Sequence, residues 1–328
     1  MARPSRLADR FNRWALRHGF PALLKVAPRL PRWFNLLGAR FVITVVMGLY
    51  HPPKRAIARN LSRVLGSPAG SRRVRVAVRR MLYNFACYWV DLFRFAQLPP
   101  EAAMALVESA TGNERVDEAL AAGKGALLLT AHLGNWELGG VFLKHLGRRV
   151  AIVYVPDQFE DVERCRRMLR TASGVDEIPI QPGDMFTSLP ALRALRENRL
   201  LALQGDRDFN DRGVWIDFLG APAPFPLGPF MLASISGAPL LPSFITYTTG
   251  QRFVVEIGEP IHVENTGNRQ ADIRRALEQW VAVLEQAVKR WPTQWYTFYD
   301  FWQKERAAKA GAALDGGTPA HARAGSAE

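Results

Sequence analysis

Between residues 125 and 206 one pattern recurs: a short apolar run, then a stretch with helical periodicity. The apolar runs are GALLLT (125–130), VAIVYV (150–155), EIPI (177–180) and RLLALQGD (199–206). Helix-like stretches lie between them, near 136–147, 159–172 and 185–197. Tight turns cannot join strands spaced this way, whereas helical crossovers join parallel strands. The pattern therefore predicts an α/β fold, with a mostly parallel sheet flanked by helices.

The flanking regions read differently. PLLPSFITYT and FVVEIGEPI, split by Thr249-Gly250-Gln251, predict a hairpin. Residues 269–291 predict a long amphipathic helix with Ile273, Leu277, Trp280, Val281, Leu284 and Val288 on one face. Residues 1–98 read as a basic helical, membrane-associating region that stops before Pro99-Pro100, and 99–305 as the α/β core. The Ala/Gly-rich end, 306–328, is expected to be disordered.

The chain of 328 residues has a formal charge of +13, unevenly placed. Residues 1–80 hold 18 of the 43 Lys and Arg and a single acid, Asp9, which makes them +17; the remainder is −4. Such asymmetry suits nucleic acid or an anionic membrane surface. In RLADRFNRWALRHGF, Leu7, Phe11 and Trp14 recur at helical spacing, and Arg6, Arg10, Arg13 and Arg17 recur on the other side. That interleaving favours an interfacial helix over nucleic acid. The apolar run from Trp33 to Tyr50 carries Arg40 and is slightly short for a span of about 20 residues. It is expected to be a buried or membrane-dipping helix. No signal peptide is read at the start. Cys87 and Cys165 fit buried apolar positions, and the six scattered histidines give no metal-binding spacing.

Chemistry concentrates in TAHLGNWELGG (130–140). Ligands in open α/β sheets sit at the C-terminal strand ends, and His132 lies there. A neutral imidazole can act as a general base if a carboxylate fixes its tautomer. Glu137, near one helical turn on, is the local candidate. Asn135 is placed to cap the following helix, and Gly134 and Gly139 permit close backbone approach. No G-x-S-x-G elbow is present and no Ser or Cys stands beside His132. The nucleophile is then expected to be a substrate hydroxyl. A structural His/Glu pair remains the alternative.

With these residues in view, the sequence resembles the lysophospholipid acyltransferase superfamily, and within it the bacterial lipid A late (lauroyl/myristoyl) acyltransferases. HLGNWE matches the family's histidine, four residues, then an acid. LQGDRDF (203–209), GVWIDFLGAPAPFPLGPFMLASISGAPLLP (213–242), RWPTQWYTFYDFW (290–302) and ARNLSRVLG (58–66) resemble further family blocks in order. The resemblance implies transfer of a fatty chain from an acyl thioester, on acyl carrier protein or CoA, to a glycolipid or lysolipid hydroxyl. It implies His132 as base with Glu137 as its partner, and Asp206, Arg167 and Arg170 as substrate-contacting residues alongside Asn135. No metal or redox cofactor is implied, and the place implied is the cytoplasmic face of a bacterial inner membrane. The acceptor stays open between lipid A, another glycolipid and a lysophospholipid. A thioesterase or lipid-ester hydrolase with the same pair, and a non-catalytic lipid-binding protein, are the competing readings.

Overall fold

The structure is a computed structural model that describes residues 26, 29–49, 52–95, 99–156, 160–181, 188–209 and 212–302. The expected helix at 6–17 and the tail at 306–328 lie outside the described residues.

Among the described residues seven strands form the main sheet: β1 (Val107–Thr111), β2 (Ala126–Thr130), β3 (Val150–Tyr154), β4 (Asp176–Pro179), β5 (Leu200–Gln204), β8 (Leu240–Tyr247) and β9 (Phe253–Ile257), in the order β1-β9-β8-β2-β5-β3-β4. Pairing is parallel from β8 to β4, and β8–β9 is the expected antiparallel hairpin. The sheet is mostly parallel, as the strand–helix alternation requires. A separate hairpin pairs β6 (Val214–Phe218) with β7 (Ala221–Phe225).

β2 shows why its run is continuously apolar. Leu127 and Leu129 enter one core cluster, and Ala126 and Leu128 enter another on the opposite face. A strand covered on both sides needs apolar residues at every position. The first cluster is closed by the helix Arg269–Arg290, where Leu277, Trp280, Leu284 and Val288 are buried. Asn268 starts that helix by accepting a hydrogen bond from the Ala271 N–H at 3.1 Å.

The basic region supplies α1 (Arg32–Leu49), α2 (Pro52–Leu65) and α3 (Arg72–Phe95). Ile57 and Leu61 of α2 meet Val74, Val78, Met81 and Tyr88 of α3 in a third cluster, which Tyr296 joins. Among the described residues no helix is long and apolar enough to cross a membrane. α1 departs from a simple buried helix: Trp33, Phe34, Leu37 and Phe41 are exposed. Cys87 of α3 is buried, and burial pushes its thiol up to about 12. The side chain of Cys165 lies outside what is described.

α4 (Pro100–Met104) precedes β1; between the strands run α5 (Asn113–Ala121), α6 (Glu137–His145), α7 (Glu160–Ser173), α8 (Leu189–Arg196) and α9 (Gly228–Ser236), and the long helix is α10. In and beside α9, Phe225, Phe230 and Leu232 pack in the core, whereas Met231 is exposed.

Candidate active site

Parallel pairing of β2 with β5 sets Thr130 opposite Gln204. His132 and Asp206 each lie two residues past those positions, so neighbouring strands deliver them side by side. Gly205 makes the approach possible: a Cβ there would press on Leu129 and the Trp280 indole, whose Nε1 donates to the Gly205 carbonyl at 2.9 Å.

The His132 Nδ1 lies 2.7 Å from Asp206 Oδ1. The backbone N–H of His132 donates to Asp206 Oδ2 at 3.1 Å, and Trp295 Nε1 donates to the same oxygen at 3.2 Å. Asp206 is fully buried. Burial alone would raise its pKa, but His132, Arg207 and the backbone donor outweigh that and pull it down to about 2. An ionised carboxylate can only accept, so Nδ1 must carry the ring proton and Nε2 keeps its lone pair. The imidazole is pushed down to about 4, first by burial and then by Arg207, against the attraction of Asp206. The result is a neutral imidazole, oriented and unprotonated at Nε2, the state in which a histidine can accept a proton.

The surrounding backbone is clamped. Gly134 adopts φ +69°, and a Cβ there would collide with the Ile245 carbonyl. Gly134 N–H donates to Gln294 O (2.9 Å), Asn135 N–H to Ile245 O (2.7 Å) and Tyr296 N–H to His132 O (2.7 Å). The segment is thus stitched both to β8 and to the 292–296 stretch. Trp136 sets its ring edge-on to His132 at 5.3 Å and stacks on Tyr88 at 4.5 Å.

Several sequence expectations need correction. Glu137 is not the carboxylate on His132. It opens α6 and faces Arg170 at 3.6 Å, both side chains being less than a tenth exposed. The helix carries Glu137 toward α7, whereas strand register carries Asp206 to the imidazole. Arg170 also donates to Glu177 at 3.1 Å and lies over the Tyr154 ring at 4.2 Å. Arg167 is exposed on α7 and approaches Glu163 at 4.0 Å, outside this cluster. Asn135 is fully buried. Its Oδ1 accepts from Leu138 N–H at 3.4 Å, the expected cap at a long distance, and its Nδ2 donates to the Tyr247 hydroxyl at 3.2 Å. Asp206, expected as a third polar residue, is the histidine's direct partner.

Three contributors were not picked out for the site from sequence: Trp295, which read as core or interfacial, Arg207 and Tyr247. The matching signal was the repeat of an apolar strand followed by two residues and a polar one, in LLLTAH and LALQGD.

The sequence profile of the family described as bacterial lipid A biosynthesis acyltransferase matches residues 14–304. The chain belongs to that family. Among its relatives, the phosphatidylinositol mannoside acyltransferase of Mycobacterium tuberculosis (strain CDC 1551 / Oshkosh) is 30% identical over 196 residues, covering 59% of this chain and 61% of the relative. The protein of the same name from Mycolicibacterium smegmatis (strain ATCC 700084 / mc(2)155) is 30% identical over 189 residues, 57% of this chain and 60% of the relative. The matched part thus spans about three fifths of those relatives' length. The family match takes in the described strands, the His132–Asp206 pair and the 292–302 stretch that holds it.

Proposed function

We propose that this family member is an O-acyltransferase that moves a fatty acyl chain from an acyl thioester to a hydroxyl of a glycolipid. The observation that carries this reading is the His132 Nδ1–Asp206 Oδ1 contact of 2.7 Å, which leaves Nε2 free to take a proton. Nε2 accepts the proton of the acceptor hydroxyl as its oxygen attacks the thioester carbonyl. The C–O bond forms, the tetrahedral centre collapses, the C–S bond breaks, and the imidazolium returns its proton to the departing thiolate. Asp206 steadies the transient cation, and no covalent enzyme intermediate is needed.

The donor in this reading is acyl carrier protein or CoA thioester. A glycolipid acceptor draws support from relatives named for a mannosylated lipid. Working on lipids, the protein sits at an anionic membrane surface, on the cytoplasmic face of a bacterial inner membrane. The basic N-terminal region suits that surface and an acidic carrier protein alike.

Lipid mass spectrometry on membranes from cells expressing wild type, His132→Ala and Asp206→Asn tests the proposal. One lipid gaining an acyl mass with wild type alone identifies acceptor and chain length together. Identical lipid profiles for all three, with purified wild type leaving acyl thioesters intact, would sink it. Thiol release without any acylated lipid would instead make the protein a thioesterase.

A further inference from the structure

α1 is built inside out. Its inner side holds Arg32 and Leu36 against the protein, and Leu36 packs on the core. Its outer side exposes Trp33, Leu37 and Phe41 at four-residue spacing, with Phe34 beside them; Trp33 is 67% and Phe41 71% exposed. A continuous apolar stripe of this kind on a surface helix marks a docking face. The charge around it selects the partner. No Asp or Glu occurs between Asp9 and Asp91, and the exposed Arg40 of α1 and Arg80 of α3 both act on Tyr83, where the two helices meet. Aromatic and leucine side chains with arginines at their edge fit the headgroup boundary of an anionic bilayer.

The inner side of the same helix enters a buried polar chain. Arg32 makes two bonds to Asp91, at 2.8 and 2.9 Å, and Asp91 is fully buried. The Tyr247 hydroxyl donates to Asp91 at 3.1 Å and accepts from Asn135 Nδ2 at 3.2 Å. Asn135 lies between His132 and Glu137. Four residues thus connect the lipid-facing helix to the segment that holds the base, and each intermediate member is buried.

We propose that α1 docks on an anionic bilayer and couples docking to the His132–Glu137 segment through Arg32, Asp91, Tyr247 and Asn135. This rests on the membrane-surface part of the proposed function. Seating the outer face fixes the helix, which holds Arg32 on Asp91. Asp91 then holds the Tyr247 hydroxyl, and Tyr247 holds Asn135. Asp91 and Tyr247 are positioning residues, since both act through Asn135.

The test uses full-length protein with vesicles of phosphatidylcholine alone or mixed with phosphatidylglycerol. Co-sedimentation reads docking, hydrogen exchange at amides 131–138 reads coupling, and thiol release from a long-chain acyl-CoA, with a mannosylated glycolipid extract added as acceptor, reads chemistry. Removing Arg32 or Asp91 strands a buried charge and risks unfolding, so Tyr247→Phe, which deletes one hydroxyl, interrupts the chain. Wild type is expected to bind the mixed vesicles and to slow exchange at 131–138 by about fivefold or more, the low end of ordinary coupling between sites. Leu37→Ser with Phe41→Ser should weaken sedimentation by about tenfold or more, since two large apolar groups leave the interface. Tyr247→Phe should sediment like wild type but lose the slowing. Wild-type sedimentation by the Leu37/Phe41 variant overturns the docking face, which residues 1–25 or a second copy then covers. Wild-type slowing in Tyr247→Phe overturns the coupling. With docking and slowing as expected but no thiol release in any arm, the acyl-transfer reading fails and the coupled docking stands.

Discussion

Asp206 Oδ1 lies 2.7 Å from His132 Nδ1, although 74 residues separate them in the chain. Two strand ends in parallel register make the contact, and the three donors around the carboxylate make it specific. Asparagine is the discriminating substitution. Oδ2 receives two donors, the His132 N–H and the Trp295 indole. The single oxygen of an asparagine must take that place, so its amide NH₂ would face Nδ1. Nδ1 would then have to accept, and the ring proton would move to Nε2. Asp206→Asn should therefore fold but lose about 10³–10⁴-fold in thioester turnover, the scale of a wrong histidine tautomer. A thermal melt beside the rate assay separates this from unfolding, and a loss below tenfold would refute the tautomer argument.

The protonation behaviour of His132 gives a second prediction. The imidazole is held below its ordinary value of 6.5, at about 4, by burial and by Arg207. Only the neutral form can take a proton, so kcat/KM should rise with pH through the folded value and be flat above pH 6. Arg207→Gln removes one cause of the lowering and should move the acid limb up toward 6.5. Stability has the same sign. The unfolded chain binds this proton at a higher pH than the folded one, so stability falls as pH drops from 6.5 toward 4. Asp206, lowered to about 2, adds a further loss as pH falls from 3.8 toward that value. A kcat/KM profile of the two proteins checks the shift; an acid limb at pH 6.5 in wild type would contradict the buried neutral base.

The strands and helices at the centre of the fold were legible because their burial is periodic. β2, β3 and β5 are covered on both faces and read as unbroken apolar runs, and α10 shows its stripe. β1 was not legible: VESAT is mostly exposed on a sheet edge and lacks an apolar pattern. β7 was hidden by Pro222 and Pro224. They alternate, so both missing donors lie on one edge of a strand that, among the described residues, pairs with β6 alone. In the site, His132 was legible from its place after a strand. Its partner was not, because no local spacing connects His132 to Asp206. Helix spacing offers Glu137, whereas the pairing that decides the matter is the β2–β5 register, a tertiary quantity.

Glu137 and Arg170 should behave as a buried structural pair. Arg170→Met leaves Glu137 and Glu177 without their cation and should destabilise the protein by about 3 kcal/mol or more. Glu137→Gln costs less, about 1–2 kcal/mol, because Arg170 keeps Glu177. The two should be non-additive, with a coupling of about 1 kcal/mol in a denaturation double-mutant cycle. Any loss of rate would come from misplacing the start of α6. The acid limb of kcat/KM should therefore stay put in Glu137→Gln. A shifted limb would mean that this carboxylate acts on the imidazole directly.

Two glycines of the same motif should respond in opposite ways to alanine. At Gly134 the backbone is left-handed, φ +69°, and a Cβ would collide with the Ile245 carbonyl and approach the Thr246 Cα at 3.1 Å. Relief requires pulling the segment off β8, which breaks the 2.7 Å bond from Asn135 N–H to Ile245 O. Backbone strain of about 1–3 kcal/mol adds to that loss. Gly134→Ala should thus cost about 3 kcal/mol or more and displace His132, lowering both stability and turnover. Gly139 lies inside α6, where a Cβ meets only the Ile245 Cδ1 at 3.3 Å, the movable end of a side chain. Alanine there gains helix propensity of about 1 kcal/mol. Urea titration of Gly139→Ala should show stability equal to or above wild type, with turnover preserved. Equal losses at the two positions would mean that the Gly134 turn is not what seats the base.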